Sequence, residues 1–226
     1  MGHLGPVRPG HPILGIVCGL RSEVRRAERA LGSQVGQARI VASGSSSDRT
    51  ADLARTLGTE GVKALVSFGI GGGLDPSLKV GDVVRATRVA SPAGRFGTPG
   101  GPLVWGSDRI VGDPQAKADL HARTGAVLVD MESHAVAMAA QAAGLPFIIL
   151  RAVSDDARTA LPDGLDSAVA PDGSSRLVPI LAWLIRHPSR LPKLIELGRN
   201  TERALDAVER VGQAELPALL RRFDAT

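Results

Sequence analysis

Gly125-Ala-Val-Leu-Val129-Asp-Met-Glu-Ser133 and Phe147-Ile-Ile-Leu-Arg-Ala-Val-Ser-Asp-Asp156 are the two stretches on which the reading of this chain turns. Each is a short apolar run that ends in polar and charged groups. Runs of this length, bounded in this way, read as buried strands, Ala126–Val129 and Pro146–Val153. Between them Met131–Ala143 reads as a helix stopped by Gly144. Carboxylates at the carboxyl ends of neighbouring strands suit a site that grips a sugar and protonates a leaving group.

Upstream, the same alternation repeats. Pro12–Cys18 reads as a buried strand and Ser22–Leu31 as a helix closed by Gly32. Ala38–Ser43 reads as a strand, Ser47–Leu57 as a helix closed by Gly58, and Lys63–Phe68 as a strand. This order argues for a sheet covered by helices on both faces. Then the rhythm changes. Gly69–Asp82 is rich in turn formers, Val83–Ala90 reads as a returning strand, and Ser91–Gly106 as a Gly- and Pro-rich surface loop. Asp113–Thr124 reads as a helix with Pro114 at an early position. Ser175–Thr226 reads as helices broken by Pro188 and Pro192.

Composition narrows the function classes. The 226 residues are 43% hydrophobic and 22% charged, the balance of a globular body with room for one substantial core. Aromatics are 3% and Tyr is absent, which argues against single-stranded nucleic-acid binding by base stacking. The formal charge of +4 fits either an anionic ligand or surface, or an Arg-rich compositional bias. The single cysteine, Cys18, excludes an internal disulfide and fits a reduced, cytoplasmic compartment. Its run, Ile13–Leu20, passes straight into charged residues, so a first strand is expected rather than a signal peptide. No apolar stretch reaches the roughly twenty residues a membrane span needs. Leu177–Ile185 is apolar, contains Trp183 and is flanked by Arg176, Arg186, His187, Arg190 and Lys193. It reads either as a core helix or as a segment making peripheral contact with lipid.

Two small-residue stretches invite a ligand. Gly69-x-Gly71-Gly72-Gly73 is not a dinucleotide fingerprint, because Leu74 stands at the third glycine position and Asp75-Pro76 follows instead of a helix. Nor is it a P-loop. It reads either as a tight turn or as backbone that a ligand can approach closely. Ser43-Gly44-Ser45-Ser46-Ser47 precedes a helix, where it can meet a phosphate or ribose oxygen, or simply cap the helix.

Four of these segments together resemble the purine nucleoside phosphorylase/methylthioadenosine nucleosidase superfamily. They are Gly15-Ile-Val-Cys-Gly-Leu-Arg-Ser-Glu-Val24, Gly72-Gly-Leu-Asp-Pro-Ser-Leu-Lys-Val-Gly-Asp-Val-Val84, Asp130-Met-Glu-Ser133 and Arg151-Ala-Val-Ser-Asp155. Their order and spacing agree over residues 12–160. Asp130-Met-Glu-Ser-His-Ala135, Ala160-Leu-Pro162 and Arg186-His-Pro-Ser-Arg-Leu-Pro192 extend the resemblance to the hopanoid-associated phosphorylases, which cleave adenosylhopane. The resemblance implies a three-layer α/β fold, with a central mixed sheet flanked by helices, in one domain over residues 1–226. Residues 175–226 would form its helical tail.

It also implies roles. Asp155 is the general acid toward purine N7, with a pKa raised by burial and Ser154 orienting it; Asp156 next door leaves the register open by one. Glu132 accepts hydrogen bonds from the 2′ and 3′ hydroxyls, and Met131 packs beneath the ribose; otherwise Glu132 is a first-turn helix glutamate. Glu23 activates water in the family's nucleosidases, whereas helix spacing alone makes it a surface residue. Arg151 steadies the carboxylates or forms a structural ion pair. Backbone around Ile110 and Val111 holds the base. Ser67 and Ile70 replace the arginine and hydroxyl residue with which phosphorolytic relatives bind phosphate. Arg21 and Arg49 are then the substitute cations, and water competes as nucleophile. No metal or cofactor is implied, only inorganic phosphate as a co-substrate. A lipid-borne purine nucleoside and a second copy of the chain are the implied partners.

Overall fold

The computed structural model describes residues 12–44, 46–162, 173 and 191–224. Among these residues nine strands form one mixed sheet. β1 (Leu14–Cys18) lies between β2 (Ala38–Ala42) and β3 (Ala64–Gly73), parallel to both. β9 (Phe147–Asp155) runs parallel to β3 along the other side and antiparallel to β4 (Val83–Ala86). Beyond β3 the sheet continues through β8 (Leu128–Asp130) and β7 (Val104–Gly106) to β5 (Arg88–Ser91) and β6 (Gly94–Gly97).

Helices cover both faces. α1 (Arg21–Leu31) and α5 (Leu191–Asp224) close one core, in which Leu14, Ile16, Phe68 and Leu150 meet Ala27, Leu31, Ala204, Val208 and Leu220. α2 (Ser47–Thr59) and α4 (Ser133–Ala142) close the other, around Leu57, Leu65, Val136, Ala140 and Ile149. α3 (Pro114–Thr124) packs Leu120 against Leu74, Leu103 and Val129. The three-layer mixed α/β fold is the expected one.

The sequence reading differs from the structure in four places. The glycine run is not a turn: β3 continues through Gly73, because β9 pairs with it on one side and β8 takes its far end on the other. Val83–Ala90 is two strands, β4 and β5, and Ser91–Gly106 carries β6 and β7 rather than a bare loop. α2 passes through Gly58, whose bare Cα lets α4 come close: a Cβ there would lie 3.3 Å from the Cβ of Ala143. Pro192 does not break a helix. It stands in the first turn of α5, where its missing N–H costs nothing. The apolar segment Leu177–Ile185, its flanking cations Arg176, Arg186, His187 and Arg190, and Ser45 lie outside the described residues.

One feature of the sheet makes the site. β1 pairs with β3 only as far as Ser67, and β8 joins β3 only at Gly72. Between them the edge of β3 has no strand partner among the described residues, while β9 remains paired behind it. Backbone donors there must find other partners or face a ligand.

Candidate active site

A cleft opens at this gap. Its walls include Gly19, Leu20, Glu23, Gly44, Ile70, Gly71, Gly72, Arg109–Val111, Val129–Glu132, Arg151, Ser154, Asp155 and Leu161.

Glu23 rises from the first turn of α1 and is 1% exposed. One carboxylate oxygen accepts from the N–H groups of Gly19 and Leu20, both at 2.8 Å. The other accepts from the Ile70 N–H at 2.8 Å, a donor that the gap in the sheet leaves without a strand partner. Burial pushes the Glu23 carboxyl above its ordinary range, against the pull of Arg151 and the three backbone donors. The helix-spacing reading of Glu23 as a surface residue is therefore corrected: α1 turns its first-turn face into the sheet.

Arg151 is the one cation among three carboxylates, and it is 1% exposed. Its guanidinium lies 2.9 Å from Glu132, 3.0 Å from Asp130 and 3.7 Å from Glu23. The approach of its Nε to Asp130 is an ion pair without hydrogen-bond alignment. It also donates to Ser67 Oγ and to the Ile70 carbonyl. Asp130 accepts from the backbone N–H and hydroxyl of Ser133, which fixes the start of α4 and so the position of Glu132. Burial is the main cause that pushes the Glu132 carboxyl up to about 8, with Asp130 and Glu23 adding to it and Arg151 opposing.

Asp155 ends β9 and is 5% exposed. A bulge precedes it: Gly71 pairs with Val153 and Gly72 with Asp155, so Ser154 is an extra residue. The bulge brings two consecutive side chains together, and Ser154 Oγ lies 2.7 Å from Asp155 Oδ1 and 3.1 Å from the Gly71 carbonyl. On its other oxygen Asp155 accepts from Lys117 Nζ at 2.5 Å.

Three glycines make room for three of the carboxylates that line the cleft. A Cβ on Gly19 would lie 2.5 Å from a Glu132 oxygen, and one on Gly69 would lie 2.2 Å from Glu23. On Gly72 it would lie 3.2 Å from Asp155. The small residues thus serve the acids rather than a phosphate loop.

The sequence of the protein matches one enzyme family over residues 23–102 and 101–185, described as the Phosphorylase superfamily. The chain belongs to the Phosphorylase superfamily. Members of the Phosphorylase superfamily cleave N-glycosidic bonds, and this protein is an enzyme of that kind. Solved structures share the fold at low identity. The 5′-methylthioadenosine/S-adenosylhomocysteine nucleosidase of Helicobacter pylori aligns with a TM-score of 0.67 at 15% identity, over 94% of this chain and 99% of its own. Futalosine hydrolase of the same organism aligns with a TM-score of 0.66 at 14% identity, over 91% and 98%. The methylthioadenosine nucleosidase of Neisseria meningitidis gives 0.65 at 18%, over 88% and 96%. No curated protein matches the chain.

Of the residues singled out in the sequence, Glu23, Gly44, Gly71, Gly72, Ile110, Val111, Met131, Glu132, Ser154 and Asp155 line the one cleft. Ser43 sits behind it, buried, with its hydroxyl turned to the Cys18 and Gly44 carbonyls. Arg21 and Arg49 are exposed and are not among the cleft's lining residues. Ser67 is fully buried and bonded to Arg151 and Ser133. The segment bearing Ile110 and Val111 is tied down at both ends, by Ser107 N–H to the Asp130 carbonyl and Leu161 N–H to the Gly112 carbonyl. Among the described residues no cluster of three or more His, Cys, Asp or Glu could hold a metal ion. Lys117 was missed. The available signal was its place three residues before Leu120, on the apolar stripe of a helix where a lysine does not belong without a partner.

Proposed function

We propose that the protein releases adenine from an adenosine-type nucleoside, and that the nucleoside is adenosylhopane. The observation that carries the reading is the convergence of Glu23, Glu132 and Asp155 on one cleft, each passing the bare Cα of a glycine. Breaking the bond between C1′ and N9 leaves positive charge on the sugar and negative charge on the departing purine. Asp155, oriented by Ser154, gives its proton to purine N7. Glu132 offers two acceptor oxygens to the vicinal 2′ and 3′ hydroxyls. Glu23 has three of its four lone-pair positions filled by backbone N–H groups and keeps one to accept a proton from the attacking nucleophile.

Water is the nucleophile this arrangement favours. Among the described residues, the side chains singled out for phosphate are engaged or elsewhere: Ser67 is enclosed by Arg151 and Ser133, and Arg21 and Arg49 do not line the cleft. Among the described residues the walls supply Leu20, Ile70, Ile110, Val111, Met131 and Leu161 and no aromatic ring, which suits a sugar bearing a bulky apolar 5′ group. Such a substrate would bring the enzyme to a membrane surface. A homo-oligomer that completes the pocket belongs to the same reading. Methylthioadenosine or S-adenosylhomocysteine is the second reading, favoured by the nucleosidases that share the fold.

The test is adenine release from adenosylhopane, adenosine, methylthioadenosine and S-adenosylhomocysteine, each with and without phosphate. Release from adenosylhopane at a rate independent of phosphate is expected. Preference for a small nucleoside would transfer the function to the second reading, and release from none would overturn both.

A further inference from the structure

Lys117 has no part in the chemistry described so far, yet it is the most completely enclosed cation beside the cleft. It leaves α3 with no exposed surface and spends all three ammonium donors. One goes to Asp155 Oδ2 at 2.5 Å, one to the Asp156 carbonyl at 2.8 Å and one to the Thr159 carbonyl at 3.1 Å. A lysine used only for packing would turn its head to water. Here the head is locked behind a carboxyl group that faces the cleft.

We propose that Lys117 is the positioning residue of the leaving-group acid: it fixes the Asp155 carboxyl from behind and stabilises the carboxylate that forms as the proton departs. The proposal rests on Asp155 being that acid. In the step, the O–H bond of Asp155 breaks and an N7–H bond forms. The electron pair of the C1′–N9 bond moves into the purine, and Asp155 is left as a carboxylate facing the Lys117 ammonium. A fixed cation at the point where negative charge develops favours the transition state over the ground state.

Ser154 completes the device. Its hydroxyl reaches both Asp155 Oδ1 and the Gly71 carbonyl. It donates to Oδ1 when Asp155 is ionised. When Oδ1 carries the proton, Ser154 accepts from it and turns its own hydrogen to Gly71. Both protonation states of Asp155 are thereby satisfied without movement of the backbone. Asp156 does not compete, since its carboxylate accepts from the Arg158 N–H and the Thr159 hydroxyl. The other charged groups of the cleft are Glu23, Asp130, Glu132 and Arg151, which form their own cluster, and Arg109.

Lys117→Met in the full chain tests this with two leaving groups. Adenine needs a proton to depart, whereas 4-nitrophenolate from 4-nitrophenyl β-D-ribofuranoside does not. Adenine release is expected to fall about 100-fold or more and nitrophenolate release by less than about 5-fold. Equal losses on both substrates would overturn the proposal.

Lys117→Met leaves a buried carboxylate alone, so Lys117→Met/Asp155→Asn, which removes both charges, is measured beside Asp155→Asn. Removing Lys117 from Asp155→Asn is expected to cost adenine release almost nothing further, and a further 10-fold loss would contradict the proposal. A wild-type enzyme that releases no base from any nucleoside overturns the functional reading and this proposal with it. An active wild type with equal losses in Lys117→Met overturns the role of Lys117 alone.

Discussion

Arg26 and Arg151 each gather three carboxylates, and they do opposite things. Arg26 bridges α1 to α5, with Glu202 at 2.9 Å, Asp206 at 2.5 Å and Glu209 at 2.8 Å. Two of those acids are more than half exposed, at 65% and 55%. Arg151 gathers Glu23, Asp130 and Glu132, all at 10% exposure or less. Arg29 also reaches Glu209, at 3.1 Å, so two cations share the acids on the surface and one shares them in the cleft. In water the excess acid is hydrated and the cluster is a modest brace between helices. Under the sheet edge it is not, so the excess negative charge is held by backbone N–H groups and by raised proton affinity. The two clusters thus differ both in their access to water and in the number of cations they hold.

Arg151→Met strikes the contrast hardest. Removing the single cation from three buried carboxylates should cost about 3–5 kcal/mol of stability, read from urea unfolding followed by circular dichroism. A loss under about 1 kcal/mol would mean that the acids do not depend on it. The pH dependence of stability comes next. Glu132 is raised from 4.5 to about 8 in the folded protein. The native state therefore binds more protons than the unfolded chain between those values, and stability should be greatest below about 4.5 as far as this group is concerned. It is lost as pH rises toward 8, and Glu23, raised in the same direction by burial, adds to the slope. Melting temperatures from pH 5 to 9 should show the fall, and Glu132→Gln should flatten it. A wild-type profile that rises over that window would reverse the sign. Arg26→Ala should have the smallest effect, about 1 kcal/mol or less, shrinking further in high salt. A large salt-insensitive loss there would erase the distinction between the clusters.

The sequence showed much of this because strands and helices alternate with clear punctuation from Leu14 to Thr59 and again from Pro114 to Asp155. It misled where residue type and pairing disagree. Gly69–Gly73 has the composition of a turn, and only two flanking strands reveal it as strand. β6 and β7 were hidden because Gly and Pro dominate Ser91–Gly106, and what makes them strands is the hairpin of β6 with β5 and the pairing of β7 with β5 and the distant β8. The carboxylates Glu132 and Asp155 could be read from their strand-end positions. The depth of Glu23 could not, since it depends on a gap between β1 and β8 that no local pattern encodes. Lys117 escaped for the same reason: its partner lies 38 residues away on β9.

The most direct measurement is adenine release by Asp155→Asn, with the fold checked by circular dichroism. An amide keeps the shape of the group and cannot supply the proton. The rate should fall by about 10²- to 10⁴-fold while the fold is retained. A folded Asp155→Asn enzyme that releases adenine at close to the wild-type rate would contradict the division of the cleft into a sugar end at Arg151 and a base end at Asp155.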